Sequence, residues 1–467
     1  MFKTKRDAKG LFEKYKARIV VKGYSQIASL DFDETFAPVI RVDSIRVLFA
    51  MAAAHDLHIL HVDCKNAFLH GQSDVELYVL QPEGFIDKRF PEMVLRLNKS
   101  LYGLKQAPRI WYLFLCGVIV GLGFVALETD PCIYVRGEII LEVYVDDIKI
   151  AGPNSIKCNE IFQELSQQIN VESKGPIQSF LGINVIRNWE KHLIGLNQGA
   201  YIDRLVEEFE LSTAKVTHTP LEQSLPLLAA KPGEKMCNID YYQRLVGSLN
   251  HLAVFTRPDI AFSVSKLAQF NSNPSATHLK AALHVVRYLK GSRNLCIVYK
   301  RQEHTATILG YSDSDWGSDV NGRRSFTGYL FMAYGGSVTW TSHKQTTVAQ
   351  STCDAEYMAI SDASREALAR IQFFQELNIS TAPILVLSDS ETALQLANGT
   401  ALNYRKAKHI DIKYHAIRHY IQEDKVQVNH IPGTANIADI FTKPLGPKYH
   451  QQFVHDMGMW NIQDIVE

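Results

Sequence analysis

The sequence has no net charge: 49 Lys and Arg offset 49 Asp and Glu over 467 residues. Affinity for a polyanion therefore cannot be read from the total and has to come from local segregation of charge. Cysteine is sparse. The seven, at 64, 116, 132, 158, 237, 296 and 353, form no CxxC pair and no zinc-finger spacing. That excludes a disulfide framework and points to reduced thiols inside a cell. Low-complexity tracts are few and no repeat of roughly 20 to 50 residues is found, so collagenous, coiled-coil and solenoid chains are ruled out. The opening MFKTKRDAKG lacks the apolar core of a signal peptide, and the expected location is intracellular rather than secreted. Long apolar runs are also missing, with one exception. Residues 110–127 carry no charge, which is the lower edge of a membrane span. Three glycines inside the run and the flanking LKQAPR favour a buried helix, turn and strand instead.

Apolar residues make up 46% of the chain and charged residues 21%, and the length is about three times the usual domain size. Two or three domains with cores of their own are expected. Residues 1–23 hold eight Lys and Arg against Asp7 and Glu13, either a solvated surface or a lobe that faces phosphates. An apolar pattern at helical spacing (Val42, Ile45, Leu48, Phe49, Ala52) leads into a short strand, LHILHVDC. Residues 139–151 read as a hairpin reversing at Asp146-Asp147. The Pro-bearing segment 217–240 reads as a linker, and helices over 241–271 and 276–290 follow. Beyond it come three strands (ATILGYS, SFTGYLFMA, GSVTWTS), a helix from Asp354, the strand ILVLS, helices near 391–397 and 409–422, the strand KVQVNHI and a terminal helix after Ala435. That order is a mixed α/β domain with its own sheet.

Two sets of carboxylates stand out. Taken alone, Asp146 and Asp147 are ordinary turn residues. Asp63, 83 positions upstream, also ends an apolar strand. Acids gathered there would repel one another unless a cation joined them, and hard oxygen ligands suit Mg²⁺. In the second set Asp313 and Asp389 end strands, and Asp439 opens the last helical turn. Glu356 shares a helix face with Ile360, Ala363, Ala367, Ile371 and Phe374, a buried stripe where a carboxylate needs a partner. Singly, each of these acids is as readily a cap or an exposed strand end. Jointly they suggest a four-carboxylate, two-metal centre. Asp315, Asp354 and Asp411 are weaker candidates. The stretch 404–419, with five Lys and Arg and three His against one Asp, is either a solvated helix face or a surface that follows a nucleic-acid backbone.

The ordered blocks KARIVVKGYSQ, HVDCKNAFLHG, QPEGF, SLYGLKQAPRIWY, TDPCIYV and YVDDIKIAG resemble the reverse transcriptase of copia-type LTR retrotransposons over residues 1–215. The blocks YSDSDWGSD, RRSFTGYLF, GGSVTWTSHKQ, AEYMAISDASREA, SDSETALQLA, KHIDIKYHAIR and ADIFTKPL resemble the ribonuclease H domain of the same polyprotein over 306–445. The resemblance implies an α/β (α+β) chain: a fingers-palm-thumb polymerase, a helical connection over 216–305, a ribonuclease H-like domain and a tail over 446–467. It implies that Asp63, Asp146 and Asp147 hold the polymerase metals, and that Asp313, Glu356, Asp389 and Asp439 hold those of the nuclease, with two Mg²⁺ or Mn²⁺ per centre. Phe68 falls where a ring excludes a 2′-hydroxyl, although a buried Phe is equally a core residue. Arg18, Lys22, Tyr102 and Gly103 fall around the nucleotide pocket, and Arg405, Lys406, Lys408, Lys413 and Arg418 are the candidates for contact with the duplex.

The implied activity is RNA-directed DNA synthesis joined to hydrolysis of the RNA strand of the hybrid. The implied partners are an RNA template, a DNA primer, the hybrid and dNTPs, in a cytoplasmic virus-like particle or the nucleus, with no membrane. Two departures matter. The first residues match only the tail of the fingers block, so a clipped fingers domain is expected. The loop before Asp439 is the short PGTAN, which leaves His430 or solvent for any proton relay. A repurposed remnant that binds nucleic acid without polymerising is the alternative.

Overall fold

The computed structural model describes every residue except 7–11, 74, 224, 232, 303–307, 320–321, 380–382, 401–411 and 467. The chain divides into two compact units, one of residues 1–41 and 58–177, the other of residues 42–57 and 178–467.

The first unit is built on a six-stranded antiparallel sheet. Its order is Val171–Pro176, His58–Cys64, Asp147–Gly152, Ile139–Tyr144, Ile133–Arg136 and Val125–Ala126. Side chains alternate between the faces of a strand, and the three central strands of this sheet keep that period. Leu60, Val62, Leu141, Val143, Ile148 and Ile150 form the apolar face. Trp111, Leu115 and Ile119 of the helix Ala107–Gly121 cover it, with Cys158, Ile161 and Leu165 of the helix Ser155–Gln168. The other face carries His61, Asp63, Glu142, Asp147 and Lys149, together with Ile59, Ile133, Ile140 and Ala151. The charge-free run thus forms a helix, a turn and a two-residue strand, and no helix among the described residues is long and apolar enough to cross a membrane. The hairpin reverses at Val145-Asp146, one residue earlier than expected, because Tyr144 pairs with Asp147. All seven cysteines are free thiols.

The second unit holds two five-stranded sheets and a helical cluster. One sheet, wholly antiparallel, runs Ser179–Phe180, Ile183–Asn188, Leu193–Asn197, Leu295–Lys300 and Met459–Asn461. It adds a strand to the linker and helical connection expected over 216–305, since Leu295–Lys300 is one of its inner strands. The run expected as one helix over 241–271 is two, Ile239–Phe255 and Ala261–Ala268, parted by the short turn Pro258–Ile260. Pro258 has no N–H to donate and so starts a new helical segment rather than continuing the old one. These helices share one apolar core with Gly199–Glu208 and Ala276–Gly291.

The other sheet runs Gly336–Lys344, Phe326–Ala333, Leu309–Asp315, Ile384–Ser388 and Val426–His430. Its first three strands form an antiparallel meander, and the last two are parallel to Leu309–Asp315. The helix Thr352–Glu376 packs on it, with Ile360, Ala363, Ala367, Ile371 and Phe374 all buried. In consequence the ends of Leu309–Asp315 and Ile384–Ser388 and the start of that helix meet at one edge.

Two candidate metal centres

At the first centre Asp63 and Asp147 are direct partners across antiparallel strands. Asp146 occupies the tip of the hairpin, and its carbonyl accepts the Cys64 N–H at 2.7 Å. The tip is strained: Val145 has φ of 55°, a left-handed conformation that a β-branched residue rarely takes. The Trp111 indole N–H holds it by donating to the Val145 carbonyl at 2.6 Å. Burial raises the Asp146 carboxyl above the usual range, and the charges of Asp147 and Asp63 add to it, with Arg18 opposing. The same acids, after burial, push the Cys64 thiol upward.

Each paired acid here has a basic side chain beside it, which sequence reasoning missed. His61 Nε2 lies 3.1 Å from Asp147 Oδ1, and Lys65 Nζ lies 3.1 Å from Asp63 Oδ2 while also bonding Glu172. His61 is two positions before Asp63 on the same strand face, and that spacing was the available signal. Beyond Asp63, the rings of Phe68 and Tyr102 meet edge to face at 5.0 Å, and the Arg18 guanidinium sits 4.5 Å above Tyr102. Gly103 takes φ of 94°, and a Cβ there would fall 2.1 Å from the Val21 carbonyl oxygen. The Val21 N–H donates to the Tyr102 carbonyl at 2.8 Å. Arg18, Phe68, Tyr102 and Gly103 are therefore gathered together, and the charge of Arg18 acts on Asp146. Phe68 is also half-buried against the core, and the Lys22 side chain is exposed.

At the second centre one ligand atom from each of Asp313, Asp389 and Asp439 lies within 4.8 Å of the others. Among the described residues no other trio of His, Cys, Asp or Glu comes so close. Glu356 joins them from the start of its helix, 5% exposed. Its Oε1 accepts the Ser314 N–H at 3.3 Å, whereas its Oε2 is buried without a hydrogen-bond partner. Burial, then Asp313 and Asp389, drives the Glu356 carboxyl well above its ordinary range. Burial and the Asp439 charge push Asp313 up to about 7.

The surroundings orient these acids. The Thr442 hydroxyl donates to Asp313. The Asn436 amide donates to the Ser312 carbonyl at 3.0 Å and to Asp389 Oδ1 at 3.4 Å, and its oxygen caps the turn Ile437–Phe441 that carries Asp439. Lys443, four residues after Asp439, places Nζ 2.8 Å from Asp439 Oδ1. A buried carboxylate oxygen with no donor, set among three further acids, is a donor set that fits a hard divalent cation.

Of the weaker candidates, Asp315 is half-buried beside Lys443. Asp354 lies in the first turn of the helix, where its N–H takes the Ser351 cap, and Asp411 lies outside the described residues. Arg405, Lys406 and Lys408 lie outside the described residues too, as does the side chain of Lys413. Arg418 is half-buried: its Nε donates to the Leu396 carbonyl at 3.1 Å, and its guanidinium lies 6.0 Å from the Tyr357 ring centre. That is a packing contact within the unit, where an exposed duplex contact was expected.

The sequence profile described as reverse transcriptase (RNA-dependent DNA polymerase) matches residues 1–223. The chain is 37% identical over 458 residues to the retrovirus-related Pol polyprotein from transposon TNT 1-94 of Nicotiana tabacum, covering 95% of this chain and 34% of that one. It is 34% identical over 310 residues to the putative transposon Ty5-1 protein of Saccharomyces cerevisiae, covering 65% of this chain and all of the other. The chain spans about a third of the length of the plant polyproteins it matches. Among solved structures, LC11-RNase H1 in complex with RNA/DNA hybrid is similar at 20% identity, with 29% of this chain and 93% of that one covered and a TM-score of 0.22.

Proposed function

We propose, given that this chain belongs to the copia-type LTR retrotransposon Pol polyprotein family, that it copies RNA into DNA at the first centre and hydrolyses the RNA of the hybrid at the second. The observation that carries the reading is two sets of acids, of which the second has its ligand atoms drawn together. One sits on the polar face of an antiparallel sheet, and the other lies at the edge of a mixed sheet with an orphaned buried Glu356 oxygen. On this reading residues 1–215 are a fingers-palm-thumb polymerase, 216–305 a connection, 306–445 a ribonuclease H-like nuclease and 446–467 a tail.

Asp63, Asp146 and Asp147 would hold Mg²⁺ or Mn²⁺ at the first centre and Asp313, Glu356, Asp389 and Asp439 at the second; bound ions there supply Lewis acidity and an activated hydroxyl or water. The chain's own residues do the rest. The Trp111 and Cys64 bonds fix the strained tip, so Asp146 is presented in one orientation. Phe68, wedged against Tyr102, sets a wall beside Asp63 that a 2′-hydroxyl would meet. Arg18 supplies positive charge next to that wall for a dNTP triphosphate, and Gly103 lets the Val20–Val21 backbone close over Tyr102. At the second centre Asn436 and Thr442 hold Asp389 and Asp313 inward, toward the phosphate of a bound hybrid.

Primer extension on an RNA template and cleavage of an RNA–DNA hybrid, measured on one preparation with and without EDTA, test the reading. Asp146→Asn is expected to abolish extension and spare cleavage, and Asp389→Asn to do the reverse, since loss of a ligand should cost at least the ~10–100-fold that loss of an outer-shell partner costs. Extension and cleavage that persist in both variants would remove the assignment. Hybrid binding without either activity would identify a repurposed remnant.

A further inference from the structure

Among the described residues, Lys443 carries positive charge into the acid cluster of the second centre and yet keeps contact with solvent. Its Nζ is 2.8 Å from Asp439 Oδ1, while 40% of its side chain is exposed against 14% for Asp439. Its backbone is fixed: the Lys443 N–H donates to the Asp439 carbonyl at 3.2 Å, and Pro444 follows. The ammonium is therefore held at the acids by its charge and its hydrogen bond to Asp439, on a flexible stem that is partly exposed. The Asp439 carboxylate it engages belongs to the trio whose ligand atoms lie within 4.8 Å of each other. Asp313 and Asp315 attract it as well.

We propose that Lys443 is a resident counter-cation of this centre, and that its ammonium competes with a divalent ion for Asp439 and leaves the cluster when that ion binds. The inference rests on the metal-centre reading above and adds an internal competitor that lowers the affinity of the site it guards. A site open only about a tenth of the time binds about tenfold more weakly than one always open. Removing the competitor should tighten binding by about that factor, and keeping the charge should not.

The test is Mn²⁺ binding to the full chain, followed by the electron paramagnetic resonance signal of free Mn²⁺, in wild type, Lys443→Met and Lys443→Arg. The expected result is Mn²⁺ affinity about tenfold tighter in Lys443→Met and close to wild type in Lys443→Arg. Equal or weaker affinity in Lys443→Met overturns the competition while leaving the metal centre standing. A wild type that takes up no Mn²⁺, with Asp389→Asn behaving identically, overturns both. If Lys443→Met does not fold, the wild type alone decides. Mn²⁺ should speed acetylation of Lys443 by an amine-reactive acetyl ester several-fold, read by mass spectrometry against Lys290 as internal standard, and an unchanged ratio overturns the proposal.

Discussion

At the scale of single residues, the second centre stores protons. Asp313 is buried beside Asp439 and titrates near 7, above its ordinary value of 3.8. A carboxyl whose folded value is raised holds its proton in the folded chain after the unfolded chain has lost it. The stability this confers is complete below about pH 4 and disappears as pH rises through about 7. Glu356 is shifted in the same direction for the same reason. The chain free of divalent ions should therefore melt at lower temperature as pH rises from about 5 to 7.5. Ion uptake must expel those protons, so Mn²⁺ affinity should climb about tenfold per pH unit over that window, for each proton displaced, and flatten above it. Calorimetric titration in two buffers of different ionisation heat checks this by counting the protons released. A flat profile would mean that the acids are already ionised. Asp313→Asn should remove the portion of the slope that Asp313 contributes.

At the scale of elements, the polar face of the first sheet is a ladder of charges fixed by strand register. Glu142 and Lys149 are opposite one another and almost fully buried, at 2% and 0% exposure, one row along from Asp147. Burial drives the Glu142 carboxyl up to about 7 and the Lys149 ammonium down, each only partly restored by the other. Removing one partner leaves a buried charge unpaired and should cost about 3–5 kcal/mol, whereas replacing both with apolar residues of similar size should cost far less. Chemical denaturation of Lys149→Met against Glu142→Leu/Lys149→Met reads that difference, and equal losses would mean that the pair contributes only its volume. The Tyr102–Gly103 turn is a second such element. Gly103→Ala must displace the Val21 carbonyl as well as leave φ of 94°. It should depress primer extension on the order of tenfold or more, while leaving hybrid cleavage unchanged, since a shift of about 1 Å at a substrate wall is costly.

These elements also show what was legible. The alternation in LHILHVDC puts Asp63 on the face opposite Leu60 and Val62, and helical spacing puts Glu356 on the buried stripe of its helix. Periodicity reads such features because each is decided within one element. The antiparallel sheet of the second unit was not legible, because it joins Leu193–Asn197, Leu295–Lys300 and Met459–Asn461 across most of the chain, and Ser179–Phe180 is only a pair of residues. Such short strands have no period of their own, and pairing alone defines them. The counter-charges Lys65 and Lys443 were hidden for another reason. Their spacing from the acids is suggestive, but among 49 Lys and Arg only the fold shows which head groups turn inward.

At the scale of the whole molecule, the two centres should be separable by point mutation yet not by cutting the chain between them. The helix Val42–Ala54 precedes the strand that carries Asp63, but it belongs to the second unit. Ile45, Val47, Leu48, Phe49 and Met51 are at most 4% exposed, and the helix packs on the strands Leu295–Lys300 and Gly336–Lys344. Burial of five such side chains is worth about 8–15 kcal/mol before opposing terms, as much as the net stability of a typical domain. Its polar residues are tied in as well. Arg46 Nε donates to the Val338 carbonyl at 2.7 Å with its guanidinium 3.8 Å from the Trp340 ring centre, and Asp43 lies 2.7 Å from the guanidinium of Arg370, itself only 2% exposed. A fragment of residues 178–467 therefore keeps every acid of the second centre but loses a wall of its core and uncovers Arg370. It should lack a cooperative thermal transition and cleave no hybrid. Residues 42–57, joined to its N-terminus through a flexible linker or added as a peptide, should restore both the transition and whatever cleavage the full chain has. Cooperative melting of the unaided fragment would show that the helix is an accessory to this unit and not part of its core.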